Sequence, residues 1–126
     1  MKNIVNTEMA PSAIGPYSQG VNIGDFIFFS GQIPLDPKTG EMVENDIKVQ
    51  TKQSLENVKA LLNDQGLDFS NVVKTTVFLD NMDDFAAMNE VYSNYFVAPF
   101  PARSAVAVDK LPKGALVEVE VIAYKG

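Results

Sequence analysis

Apolar and polar positions change their period several times along this chain, and the changes divide it into predicted elements. Tyr17 to Ile23 and Phe26 to Ile33 are apolar-rich runs separated by Gly24-Asp25, a turn signal. They are predicted to form a β-hairpin. Pro34 to Gly40 holds Pro34, Pro37 and Gly40 and reads as a loop. Ile47, Thr51, Leu55, Val58 and Leu62 then recur at helical spacing. That spacing predicts a helix over 46–65 with one apolar stripe facing a core. Asn45 or Asp46 is placed to cap its start, and Gly66 stands where a helix commonly ends in the left-handed conformation.

Val72 to Leu79 is rich in β-branched residues and is predicted to be a strand. A second helix is predicted over 83–96, with Phe85, Met88, Tyr92 and Phe96 on one face. Asp83 and Asp84 at its start complement the helix dipole, and Pro99 and Pro101 mark its stop. Two further strands are expected at 103–108 and 116–124, joined by a turn at Pro112-Lys113-Gly114. The order strand, strand, helix, strand, helix, strand, strand predicts a single α+β domain over 1–126, a mixed sheet with both helices on one face. Phe26-Ile27-Phe28-Phe29 and the Val-rich last strand are apolar at both alternating positions. Such strands are usually buried on both faces, so the second face is expected to meet another subunit.

Composition then narrows the chemistry. The chain has 126 residues, 46% of them hydrophobic, enough for one compact core. The formal net charge is -6, which disfavours a nucleic-acid partner and an anionic membrane surface. There is no cysteine and no histidine. No thiol nucleophile, thiolate metal site, disulfide or imidazole base is available. No metal and no cofactor is expected. The start, Met1 to Glu8, breaks its apolar character at once, and no apolar run is long enough to span a bilayer. A cytoplasmic protein is expected.

Arg103 is the one arginine and sits among small and apolar residues, Pro101-Ala102-Arg103-Ser104-Ala105. Its rigid fork suits a carboxylate, either of a ligand or of Glu118 or Glu120 in an internal ion pair. Glu118 and Glu120 lie two apart on one strand and so share a face, which is either solvent-exposed or lines a pocket. Tyr17 and Ser30 supply hydroxyls at strand ends, and Gly31 lets a ligand approach its backbone N–H.

Several ordered segments together resemble the RidA (YjgF) family of reactive-intermediate deaminases. They are Ala13 to Gly20, Ser30-Gly31-Gln32-Ile33-Pro34, Gln53 to Lys59, Val73 to Leu79, Pro101-Ala102-Arg103-Ser104 and Val117-Glu118-Val119-Glu120. The resemblance covers essentially the whole chain. It implies a chorismate-mutase-like fold and a homotrimer with active sites in intersubunit clefts. It also implies hydrolysis of 2-imino or 2-enamino acids, such as 2-iminobutyrate and 2-aminoacrylate, to 2-keto acids and ammonia. By this resemblance Arg103 holds the substrate carboxylate with help from the Gly31 N–H, and Glu118 activates water. Tyr17 and Ser30 shape the pocket, and Asn89 and Ala105 match further pocket positions. Many members carry Cys or Thr where this chain has Ala105. Two other functions remain open: a non-enzymatic trimeric regulator or chaperone that binds small acids, and a ribonuclease or translation inhibitor. The acidic charge and missing histidine disfavour the last.

Overall fold

The computed structural model describes residues 2–126. Six strands form one sheet: β1 (Asn3–Val5), β2 (Gly20–Ile23), β3 (Phe26–Phe29), β4 (Val72–Leu79), β5 (Ala102–Ala107) and β6 (Val117–Tyr124). The strand order is β1-β2-β3-β6-β4-β5. Every neighbouring pair is antiparallel except β4 and β5, which run parallel. Two helices, α1 (Ile47–Asp64) and α2 (Phe85–Tyr92), pack against one face. The mixed α+β layer expected from the element order is therefore present.

Alternation along β6 assigns the faces. Val117, Val119, Val121 and Ala123 are buried against the helices, so Glu118, Glu120, Ile122 and Tyr124 point the other way. In β4 the inward set is Thr75, Val77 and Leu79, leaving Lys74, Thr76 and Phe78 on the open face. A register shift between Val72 and Lys74 changes the parity at the strand's start. In β3, Ile27 and Phe29 enter the core while Phe26 and Phe28 stay 42% and 48% exposed. Ile4, Ile23 and Tyr124 are exposed too, and the Phe26 and Tyr124 rings lie 5.2 Å apart. The two-sided apolar pattern thus resolves into one covered face and one apolar face that a single chain leaves bare.

Asp46 is the cap of α1: its carboxylate accepts from Lys48 N–H and Val49 N–H at 2.9 and 3.0 Å. Gly66 follows the helix with φ of 74°, as its position predicted. The buried side of α1 includes Thr51, Leu55, Val58 and Leu62 from the predicted stripe, and Ile47 is half-buried. It also includes the polar residues Gln50, Ser54 and Asn57, which apolar periodicity does not reveal.

Three expectations on elements and their boundaries need correction. β1, a three-residue edge strand pairing Ile4 with Val21, was not expected; it is too short to show a period. The hairpin is shorter than predicted, beginning at Gly20 and ending at Phe29. Beyond that pair Ser30 N–H still reaches Gln19 O at 2.9 Å, but Gln32 has changed partner and exchanges bonds with Val119 of β6. The second helix spans Phe85–Tyr92 rather than 83–96, because Met82–Asp84 is a separate 3-10 turn capped by Asn81. Phe96 lies past the helix end yet remains buried, stacked on Tyr92 at 4.4 Å. The Pro112–Gly114 turn holds Lys113 in the left-handed region, with φ of 56°.

Candidate active site

Arg103 pairs in register with Thr75, and Glu118 pairs with Phe78. Thr75 faces the helices and Phe78 faces away. The two candidate residues therefore project from opposite faces of the same sheet. Neither Glu118 nor Glu120 forms an ion pair with Arg103; among the described residues the ion pair present is Lys48–Glu90. The internal-pair alternative is overturned by strand parity.

Among the described residues Arg103 is held without a countercharge. Its Nη1 donates to Asn89 Oδ1 at 2.7 Å. Its guanidinium carbon stands 4.7 Å from the Tyr92 ring centre and 5.5 Å from that of Phe85. Tyr92 is fixed from below by a 2.8 Å hydrogen bond between its hydroxyl and that of buried Thr75. This leaves one edge of the fork open over a cleft of about 450 Å³ lined by Asn89, Tyr92, Phe96 and Phe100. A guanidinium so oriented, with N–H groups to spare, has the chemistry to hold an anion. Ala105 lies two residues on, half-buried on the same face and paired with Val77. Tyr92 and Phe85 were legible only as core positions; that an arginine would lie across them has no signature in the spacing.

Tyr17, Ser30, Gly31 and Glu118 come together in a second cleft of about 470 Å³, with Lys113 at its edge. Ser30 Oγ donates to Ser18 O at 2.6 Å, so this hydroxyl is left as an acceptor. Ser30 N–H and Gln32 N–H are both bonded, to Gln19 O and Val119 O, whereas the Gly31 N–H between them has no acceptor among the described residues. A Cβ on Gly31 would overlap Glu118 Oε2. Only glycine lets this carboxylate lie against the backbone. Burial, and then the charge of Glu120, pushes the Glu118 carboxyl above the usual carboxylate range. A carboxyl so placed, raised above the ordinary carboxylate range, can exchange a proton with water.

The family model described as Endoribonuclease L-PSP matches residues 7–125. A RutC family protein of Pyrococcus horikoshii is 57% identical over 125 residues, covering 99% of both chains. A 2-iminobutanoate/2-iminopropanoate deaminase of Salmonella typhimurium is 50% identical, again over 99% of each. The crystal structure of the YjgF gene product of Escherichia coli superposes with a TM-score of 0.94 at 49% identity, covering 98% of this chain and 99% of that one. The chain belongs to the RidA (YjgF) family. Some of its RidA-family relatives are named imine deaminases, while others carry only the general RutC name. Among the described residues of this RidA-family chain no helix is long and apolar enough to cross a membrane.

Proposed function

We propose that this RidA-family chain hydrolyses small 2-imino and 2-enamino acids to 2-keto acids and ammonia, and that it does so as a homotrimer. The observation that carries the reading is Arg103: a guanidinium held by Asn89 and two aromatic rings, with no carboxylate partner. Such a cation suits the carboxylate common to every 2-imino acid. The relatives named 2-iminobutanoate/2-iminopropanoate deaminase support the reaction type.

The two clefts are halves of one site. Arg103 of one copy supplies the carboxylate clamp, and Tyr17, Ser30, Gly31 and Glu118 of its neighbour supply the hydrolytic side. The bare apolar face around Phe26 and Phe28 is the surface on which copies associate. A protonated imine is already electrophilic, so a positioned water suffices. Water adds to the imine carbon as Glu118 takes one of its protons. Glu118 returns that proton to the carbinolamine nitrogen, then takes the hydroxyl proton as the C–N bond breaks, so that ammonia leaves, the ketone forms and Glu118 passes the remaining proton to the ammonia or to solvent. The Gly31 N–H donates to the substrate carboxylate beside Arg103.

The test generates 2-iminobutyrate in situ from threonine with a dehydratase and traps surviving imine with semicarbazide. Wild type is expected to lower the trapped imine and speed 2-ketobutyrate formation, and Arg103→Ala to do neither. No effect of wild type on small or branched imino acids would sink the enzymatic reading in favour of a small-acid sensor. RNA cleavage that survives Arg103→Ala and nuclease removal would favour a ribonuclease.

A further inference from the structure

The buried side of α1 carries a polar row, Gln50, Ser54 and Asn57, each 1% exposed or less. A core-facing helix gains nothing from such residues unless they bond, since an amide buried without a partner is destabilising. Two of the three reach out of the helix to main chain. Gln50 Oε1 accepts from Leu116 N–H at 2.8 Å, two residues before Glu118. Asn57 Nδ2 donates to Ile33 O at 3.3 Å and Leu35 O at 2.9 Å, just after Gly31. Gln53 Nε2 in turn donates to Asn57 Oδ1 at 2.9 Å and orients its amide. Between these grips the two segments are tied directly, Gln32 N–H to Val119 O at 2.8 Å and Val119 N–H to Gln32 O at 3.1 Å.

We infer that Gln50 and Asn57 are positioning residues that set the separation between the Gly31 backbone and the Glu118 carboxylate. This rests on the proposed role of Glu118. The contact they govern is close: a methyl group on Gly31 would displace the end of the Glu118 side chain. Neither amide touches the substrate. Each acts by holding one wall of the cleft to a common rigid helix, so that the water between carboxylate and substrate is bound at one distance. If either grip is released, the walls part and solvent enters. Glu118 then loses part of the burial that raises its titration, while Glu120 on β6 and Lys113 and Tyr17 across the cleft continue to face it.

The experiment follows the Glu118 side-chain carboxyl by 13C NMR against pH, together with imine hydrolysis, in wild type, Gln50→Met, Gln50→Glu, Asn57→Asp and Gln53→Met. Gln50→Met and Asn57→Asp keep side-chain size but lose the acceptor and the donor respectively; Gln50→Glu keeps an acceptor oxygen. Expected is a lower Glu118 midpoint and a kcat reduced about tenfold in the first two, with KM changed less than about threefold. Gln50→Glu is expected to restore both towards wild type. Gln53 is only partly buried, so Gln53→Met is expected to fold even where the core variants do not, with a smaller shift of the same sign. Unchanged midpoints and kcat in folded variants would overturn the inference, as would Gln50→Glu behaving like Gln50→Met. Wild type without imine hydrolysis would sink the functional reading alone, because the NMR midpoints still report whether the amides hold the carboxylate.

Discussion

Arg103 and Glu118 stand on opposite faces of one sheet. The parallel pairing of β5 with β4 places Arg103 beside Thr75, on the helix side, and the antiparallel pairing of β6 places Glu118 beside Phe78, on the open side. No rotamer carries either side chain through a hydrogen-bonded sheet. On the proposed reading one substrate meets both between two copies of the chain, and this gives the proposed site a signature that a single-chain site lacks.

Mixed oligomers of Arg103→Ala and Glu118→Gln are therefore expected to recover activity that neither variant has alone. In a closed ring of randomly mixed copies, about one interface in four joins an intact Arg103 to an intact Glu118. Subunits are exchanged in mild denaturant, refolded and assayed for 2-iminobutyrate hydrolysis. Recovery to about a quarter of wild type places the halves on different copies; no recovery in mixed oligomers verified by mass would place them on one.

Gly31→Ala is expected to fold and to lose most activity. Gly31 is not in the left-handed region, so its backbone tolerates a side chain. The new methyl group meets the end of the Glu118 side chain, which can swing aside. Melting temperature close to wild type with kcat/KM down at least about tenfold is the expected pairing. A large loss of stability with full activity in the folded fraction would contradict it.

Much of the fold is legible in the sequence, and the illegible parts have physical reasons. Val72–Leu79 was read at its observed limits because its β-branched residues are flanked by turns. The Asp46 cap and Gly66 followed from residue chemistry. Arg103 and Glu118 were both singled out, but their opposite facing was hidden. Ala102–Ala107 has mostly small residues at both alternating positions, so hydrophobic contrast assigns no face, and the shift at Val72/Lys74 breaks parity in its neighbour. Buried Gln50 and Asn57 were missed because an amide that bonds distant main chain looks like a surface residue in any periodicity.

Substitutions on the open face test assembly. Phe28 pairs with Ile122 and Val21 in the centre of the bare apolar patch. Phe28→Glu is expected to lower the mass measured by light scattering from oligomer to monomer. Imine hydrolysis falls with it, since the half-sites separate. Ile27 on the buried face is untouched, so near-native circular dichroism is expected at low temperature. Retained oligomer mass in Phe28→Glu would move the interface elsewhere.

The pH dependence follows from Glu118, raised by burial and then by Glu120. A carboxyl whose native titration lies above its unfolded value binds more protons when folded. Stability contributed at low pH is therefore lost as pH rises from the ordinary carboxylate range through the raised one. Glu118→Gln is expected to gain stability relative to wild type across that window, as read by urea unfolding at several pH values. Activity runs oppositely, because the carboxyl must be ionised to accept a proton from water, so kcat/KM falls on the acid side at the raised midpoint. Glu120→Gln removes the neighbouring charge but not the burial, and its acid limb is expected to shift to lower pH by only part of the total elevation. An acid limb that does not move in Glu120→Gln would show that Glu120's charge is screened from the site.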